Sequence, residues 1–156
     1  DVEAEGTTYT VHPGEAVMRT VGELHGRLGK KAGKGFYDYQ GKEKSLWPEL
    51  TTLYPPQAEQ PTQQELVDRL MFVQANEAAR CFEERVVRSV ADTNIGSIFG
   101  WGFAPHQGGA LQFINAMGAQ RFVERSRELA KLHGARFEPA AVVVKMAQDG
   151  ARFEDA

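Results

Sequence analysis

The chain has 156 residues, 42% of them hydrophobic and 25% charged, with a net charge of −3 and a pI near 5.8. That composition suits one ordinary globular domain, or a small domain with an arm, able to bury a core without staples. The acidic balance argues against a nucleic-acid domain, and no apolar run reaches the roughly 18 residues of a membrane span. A single cysteine, Cys81, excludes an internal disulfide and a metal site built on cysteines, and reads as a reducing compartment.

Residues 1–13 carry no helical period and end at Pro13, which predicts an extended lead-in. This terminus has no initiator Met and neither a signal nor a transit pattern, so it reads as that of a processed chain or an excised piece. Val17, Val21 and Leu24 then fall at helical spacing behind Glu15, predicting a helix over 14–27 that stops in Gly26-Arg27-Leu28-Gly29. Residues 29–35, Gly-Lys-Lys-Ala-Gly-Lys-Gly, read as flexible and basic and lead into the aromatic run Phe36-Tyr37-Asp38-Tyr39. Residues 40–61 hold Trp47, Pro48, Pro55, Pro56 and Pro61, a proline-rich connector too poor in period for a regular element. It divides the chain into 1–61 and 62–156.

Thr62-Gln63-Gln64-Glu65 is a capping box: the Thr62 hydroxyl accepts from the Glu65 N–H, and the Glu65 carboxylate reaches back to Thr62. It opens a long helix to about Arg85, whose apolar stripe is read as Val67, Leu70, Met71, Ala75, Ala78 and Phe82, with Val73 and Cys81 beside it. A second helix is expected over 89–99, capped by Ser89 with Asp92 in its first turn, and broken by Gly100-Trp101-Gly102. Shorter helices follow over about 109–117, 119–133 and 140–148, the last with Pro139 at its start, before a loose tail from Gly150. No strand pattern stands out, so the class is all-α.

Several groups carry chemical possibilities. The 29–35 segment lacks the G-x-x-x-x-G-K-[ST] of a triphosphate loop. It is either a solvated hinge with ordinary surface lysines or a contact for ligand phosphates. Glu77, beside the apolar stripe, reads as an ion-pair partner of Arg80 or Arg69 in preference to a general base, since no His or second carboxylate is near it in sequence. The segment 100–109 has four glycines, two aromatics and a proline; its glycines read as allowing close helix packing, and His106 as a loop residue. The four histidines are too dispersed for a metal, and no G-x-G-x-x-G follows a strand.

Three segments carry a family resemblance. Gly29-Lys30-Lys31-Ala32-Gly33-Lys34-Gly35-Phe36-Tyr37-Asp38-Tyr39 resembles the "G[RK]K[TN]GKGFYxY" signature of 3-hydroxyacyl-CoA dehydrogenases. Asn76-Glu77-Ala78-Ala79-Arg80-Cys81-Phe82-Glu83-Glu84 resembles their "NExxRCLEE" helix, and the segment 100–109 their "GxGFPPFxGG" loop, with His106 where an aromatic is usual. The order and spacing agree over about 15–153. The resemblance implies a helical bundle of the 6-phosphogluconate-dehydrogenase C-terminal type, holding the last helix of a first repeat and all of a second. A double repeat points to the multifunctional β-oxidation proteins that join an enoyl-CoA hydratase to the dehydrogenase.

In that family an L-3-hydroxyacyl-CoA is oxidised to the 3-oxoacyl-CoA. NAD and the catalytic His and Glu belong to an earlier domain. An assisting Asn precedes an Arg in the first repeat; the pair here is Asp68-Arg69, so the second repeat looks catalytically degenerate. The resemblance therefore implies no catalytic, cofactor-binding or metal residue on this chain, with NAD held elsewhere in the parent enzyme. The residues themselves make Lys30, Lys34, Phe36 and Tyr37 the candidate CoA contacts, with lysine charge for phosphates beside an apolar face for an acyl chain. The implied partners are an acyl-CoA, the NAD-binding domain, and a second copy or a thiolase subunit. The implied compartment is the bacterial cytoplasm, or a mitochondrion or peroxisome. Two other functions fit the residues: a free-standing acyl-CoA-binding module, and a dimerisation domain sharing Val67, Met71, Ala75, Ala78 and Phe82 between chains.

Overall fold

The computed structural model describes residues 13–155, so the expected lead-in lies outside the described residues except for Pro13. The chain divides after Gln60 into two units.

In the first unit, α1 (Pro13–Arg19) carries the Glu15–Arg19 ion pair at 3.0 Å, one turn apart. The chain then widens into a π-turn, Thr20–Leu24, in which the His25 N–H reaches Thr20 O at 3.2 Å. This extra width explains a correction to the expected stripe: Val21 is buried, but Leu24, pushed off the same face, is 79% exposed.

The larger correction is a β-hairpin where no strand was expected. Strands β1 (Tyr37–Gln40) and β2 (Glu43–Leu46) pair antiparallel, with Tyr37 opposite Leu46 and Gln40 opposite Glu43. The two-residue turn between them uses Gly41 at φ 63°. A short helix, α2 (Leu50–Leu53), follows inside the segment read as a connector without regular elements.

The second unit, from Pro61, is a helical bundle of α3 (Gln63–Glu83), α4 (Val90–Trp101), α5 (Ala110–Met117), α6 (Ala119–His133) and α7 (Ala141–Asp149). The all-α class holds, with the small hairpin as an addition. Both sequence-read caps form: Thr62 Oγ1 accepts from the Glu65 N–H at 3.1 Å and Ser89 Oγ from the Asp92 N–H at 3.0 Å. The Glu65 carboxylate, expected to reach back to Thr62, instead meets His133 Nε2 at the end of α6, at 3.1 Å.

The buried face of α3 is Phe72, Ala75, Asn76 and Ala79, all at 0% exposure, whereas Val67 and Leu70 of the expected stripe are 44% and 65% exposed. Apolar side chains flank Phe72 on both sides, at Met71 and Val73, so hydrophobicity alone does not set the phase of this helix. Phenylalanines set it. The Phe72 ring stacks on Phe122 at 4.6 Å between centroids and meets Phe113 edge-on at 5.7 Å; Phe103 closes on Phe113 at 6.1 Å. Asn76 Nδ2 donates to Ser126 Oγ and Phe137 O across the same core.

α3 ends in a Schellman turn: the Arg85 N–H donates to Phe82 O and the Val86 N–H to Cys81 O. That geometry puts Arg85 at φ 59°, where glycine is the usual occupant. Arg85→Gly is expected to stabilise the protein by about 1 kcal/mol by removing a left-handed non-glycine residue, read as a higher urea midpoint at unchanged slope.

The tail, expected to be loose from Gly150, is docked. Phe153 is buried against Phe82, its backbone N–H and C=O both bond the Asn115 side chain at 2.8 Å, and the Asp155 carboxylate accepts from the N–H groups of Val90 and Ala91 at 2.5 and 2.9 Å. A carboxylate at a helix N-terminus satisfies orphan donors and favours the dipole, which is why a sequence ending in polar residues still packs.

Candidate functional site

The 29–35 segment is a closed turn and not an open hinge. Gly29 N–H donates to Lys34 O at 2.8 Å, Lys30–Ala32 form one 3₁₀ turn, and Tyr39 N–H reaches back to Gly33 O at 3.0 Å. Gly35 is buried where a Cβ would lie 2.9 Å from Gly29 Cα, so the crossing of the turn's two ends requires glycine there.

Arg27 holds the turn to the hairpin. Its guanidinium, 9% exposed, donates from Nε to Gly35 O at 2.6 Å and from Nη2 to Asp38 Oδ1 at 2.5 Å, and sits 4.4 Å from the centroid of the Trp47 ring. Trp47 is buried, its N–H donates to Phe36 O, and His25 packs edge-on against its ring. Neither Arg27 nor Trp47 was singled out from sequence. A tryptophan within a proline-punctuated stretch is a signal that the stretch is anchored.

Of the four predicted contact residues, the fold brings two together. Phe36 and Tyr37 help line a cleft of 620 Å³ with Met18, Val21, Leu28 and Tyr39, entirely within the first unit. Lys30 and Lys34 do not line it: both are exposed, and neither forms an ion pair among the described residues. Tyr37 is capped by the Lys44 ammonium, 5.0 Å above its ring.

The remaining candidates are structural. Glu77 is exposed and pairs with Arg80 at 3.1 Å, while Arg80 Nη2 donates to Glu138 O. Asp68 accepts from Arg125 Nε at 2.8 Å, tying α3 to α6; Glu128 first, and then Asp68, hold the Arg125 guanidinium above its usual pKa. His106 is exposed on a 3₁₀ turn, Pro105–Gln107.

The glycine loop builds a helix junction. Gly109, buried at φ 110°, lies where a Cβ would be 2.5 Å from Asn94 Cα. That approach lets Asn94 Oδ1 accept from the N–H groups of Leu111 and Gln112 at 2.9 and 3.0 Å, and Ser97 Oγ from Ala110 N–H at 3.1 Å. α4 thus caps α5, which has no cap of its own. Among the described residues no three His, Cys, Asp or Glu side chains are placed to hold a metal ion.

What these elements define is a helical bundle in the second unit and a basic, aromatic-edged turn in the first. No family model matches the chain. It is 36% identical over 131 residues to the fatty acid oxidation complex subunit alpha of Vibrio vulnificus (strain CMCP6), a match covering 83% of this chain and 19% of that protein. It is 39% identical over 132 residues to the subunit of the same name from Shewanella halifaxensis (strain HAW-EB4), covering 81% of this chain and 18% of that protein. The chain is therefore related to one segment of fatty acid oxidation complex α subunits, in agreement with the resemblance carried by its three motifs, and spans under a fifth of their length.

Proposed function

We propose that this chain serves as the C-terminal substrate-cleft and assembly domain of an NAD-dependent L-3-hydroxyacyl-CoA dehydrogenase of fatty-acid β-oxidation, in a bacterial cytoplasm. The observation that carries this reading is the identity to fatty acid oxidation complex α subunits over about four fifths of the chain, three dehydrogenase-like motifs included. The two described strands form an antiparallel hairpin, and neither feeds a glycine-rich turn into a helix N-terminus, which supports a reading in which NAD is held elsewhere in the parent enzyme. The proposed role is thus binding and packing, with the hydride acceptor held by a domain that this chain does not contain. Lys30 and Lys34, exposed and unpaired among the described residues, would meet CoA phosphates as point charges, with Phe36 and Tyr37 offering apolar surface beside them.

Calorimetric titration of the pure chain with acetoacetyl-CoA tests this. Saturable binding that weakens severalfold in Lys30→Ala/Lys34→Ala, and more so at raised salt, is expected. Binding unchanged in the double variant would remove the turn from the cleft, and turnover of acetoacetyl-CoA with NADH by this chain alone would overturn the division of labour.

An assembly role has its own support. The stripe considered for sharing between chains is partly internal, since Ala75 and Ala78 are buried within their own unit. Val67 of that stripe stays exposed, and so do Leu66 and Leu70 of α3 and Ile95 and Phe99 of α4, the last at 85%. We take this surface to face a second copy or a thiolase subunit.

A further inference from the structure

We propose that the second unit carries a separate site for a small phosphate ester with an apolar body, in the groove between the end of α3, the loop 84–88 and α7. The groove measures 1310 Å³ and lies wholly within that unit. Arg85 and Arg88 line it from the loop and Lys145 from α7; all three are exposed, and none forms an ion pair among the described residues. Two forked guanidiniums from the loop and an ammonium from α7 are the donor types that a phosphoryl group accepts from. Arg85 occupies the left-handed position of the Schellman turn although glycine would fit it without strain, and strain retained at a binding residue is a mark of use.

Between the cations the lining is apolar, with Phe82, Val87, Val142 and Val144, so a ligand that is all charge would leave this surface uncovered. Two carboxylates, Glu83 and Asp149, also line the groove. They leave a small positive excess, enough for a single phosphate ester and too small to hold a polyanion against the acidic balance of the whole chain. This site shares no residue with the turn at 29–37 and does not depend on the function proposed for it.

The test is an amide-resonance titration of the full, isotope-labelled chain with phenyl phosphate, and with phenol and benzoate as comparisons. Saturable shifts confined to 82–88 and 139–149 are expected, together with clearly weaker binding of phenol and benzoate. Arg88→Ala and Lys145→Ala should each weaken phenyl phosphate about tenfold, as loss of a charge-assisted contact does. Arg85→Gly should do the same while raising the melting temperature, which separates lost binding from lost fold. Phenol binding as tightly as phenyl phosphate, benzoate binding as tightly, affinity unchanged in the three variants, or the lack of any saturable shift would each overturn the proposal.

Discussion

Gly109→Ala is expected to cost the second unit about 3 kcal/mol. The added methyl would stand 2.5 Å from the Cα and Cβ of Asn94, and the residue must hold φ 110°, which alanine rarely adopts. Overpacking of this kind costs about 1–3 kcal/mol, and the backbone strain adds to it. If α5 retreats to relieve the clash, the caps from Asn94 and Ser97 are lost as well. Gly100→Ala is the internal control: it lies in α4 with nothing within 4 Å of its Cβ position, and should be neutral or stabilising by up to about 1 kcal/mol. Equilibrium denaturation of the two variants decides the matter, and equal losses in both would mean that the close approach of α4 and α5 is not what the glycine loop provides.

Phe72→Ala is expected to cost about 3–5 kcal/mol, the range for emptying a fully buried aromatic site. Phe72 contacts both Phe113 and Phe122, so the cavity opens at the centre of the core. A domain of this size has only about 5–15 kcal/mol of net stability, so the variant should melt far below the parent. Leu70→Ala, on the exposed side of the same helix, should change stability by about 0.5 kcal/mol or less. Comparable losses at the two positions would place the core on the other face of α3.

That pair of substitutions also marks where the sequence was and was not legible. The ends of the helices were readable because each cap is a local matter: Thr62 with Glu65, and Ser89 with Asp92, lie within one turn. The face of α3 was not, because Met71, Phe72 and Val73 are consecutive apolar residues and only Phe113 and Phe122, about 40–50 residues away, choose among them. The hairpin was missed for its shortness, although Tyr37-Asp38-Tyr39-Gln40 does alternate and Gly41 follows it. The docked tail depends on Asn115 and on the start of α4, partners no local pattern names. Around the basic turn, Phe36 and Tyr37 stand out in the sequence through their motif, whereas Arg27 does not: its place there comes from Trp47 and Asp38, which the fold alone brings to it.

The borrowed cap of α5 has a kinetic side. An eight-residue helix is too short to persist alone in water, so α5 has no independent existence to contribute to early folding. Its cap donors and acceptors are only 13–18 residues apart along the chain, a loop that closes at small entropic cost. α4 and α5 are therefore expected to form as a pair, whereas the contacts of Phe72 need closures more than twice as long, so in a folding-rate analysis Gly109→Ala should slow folding more than Phe72→Ala does for the same loss of stability.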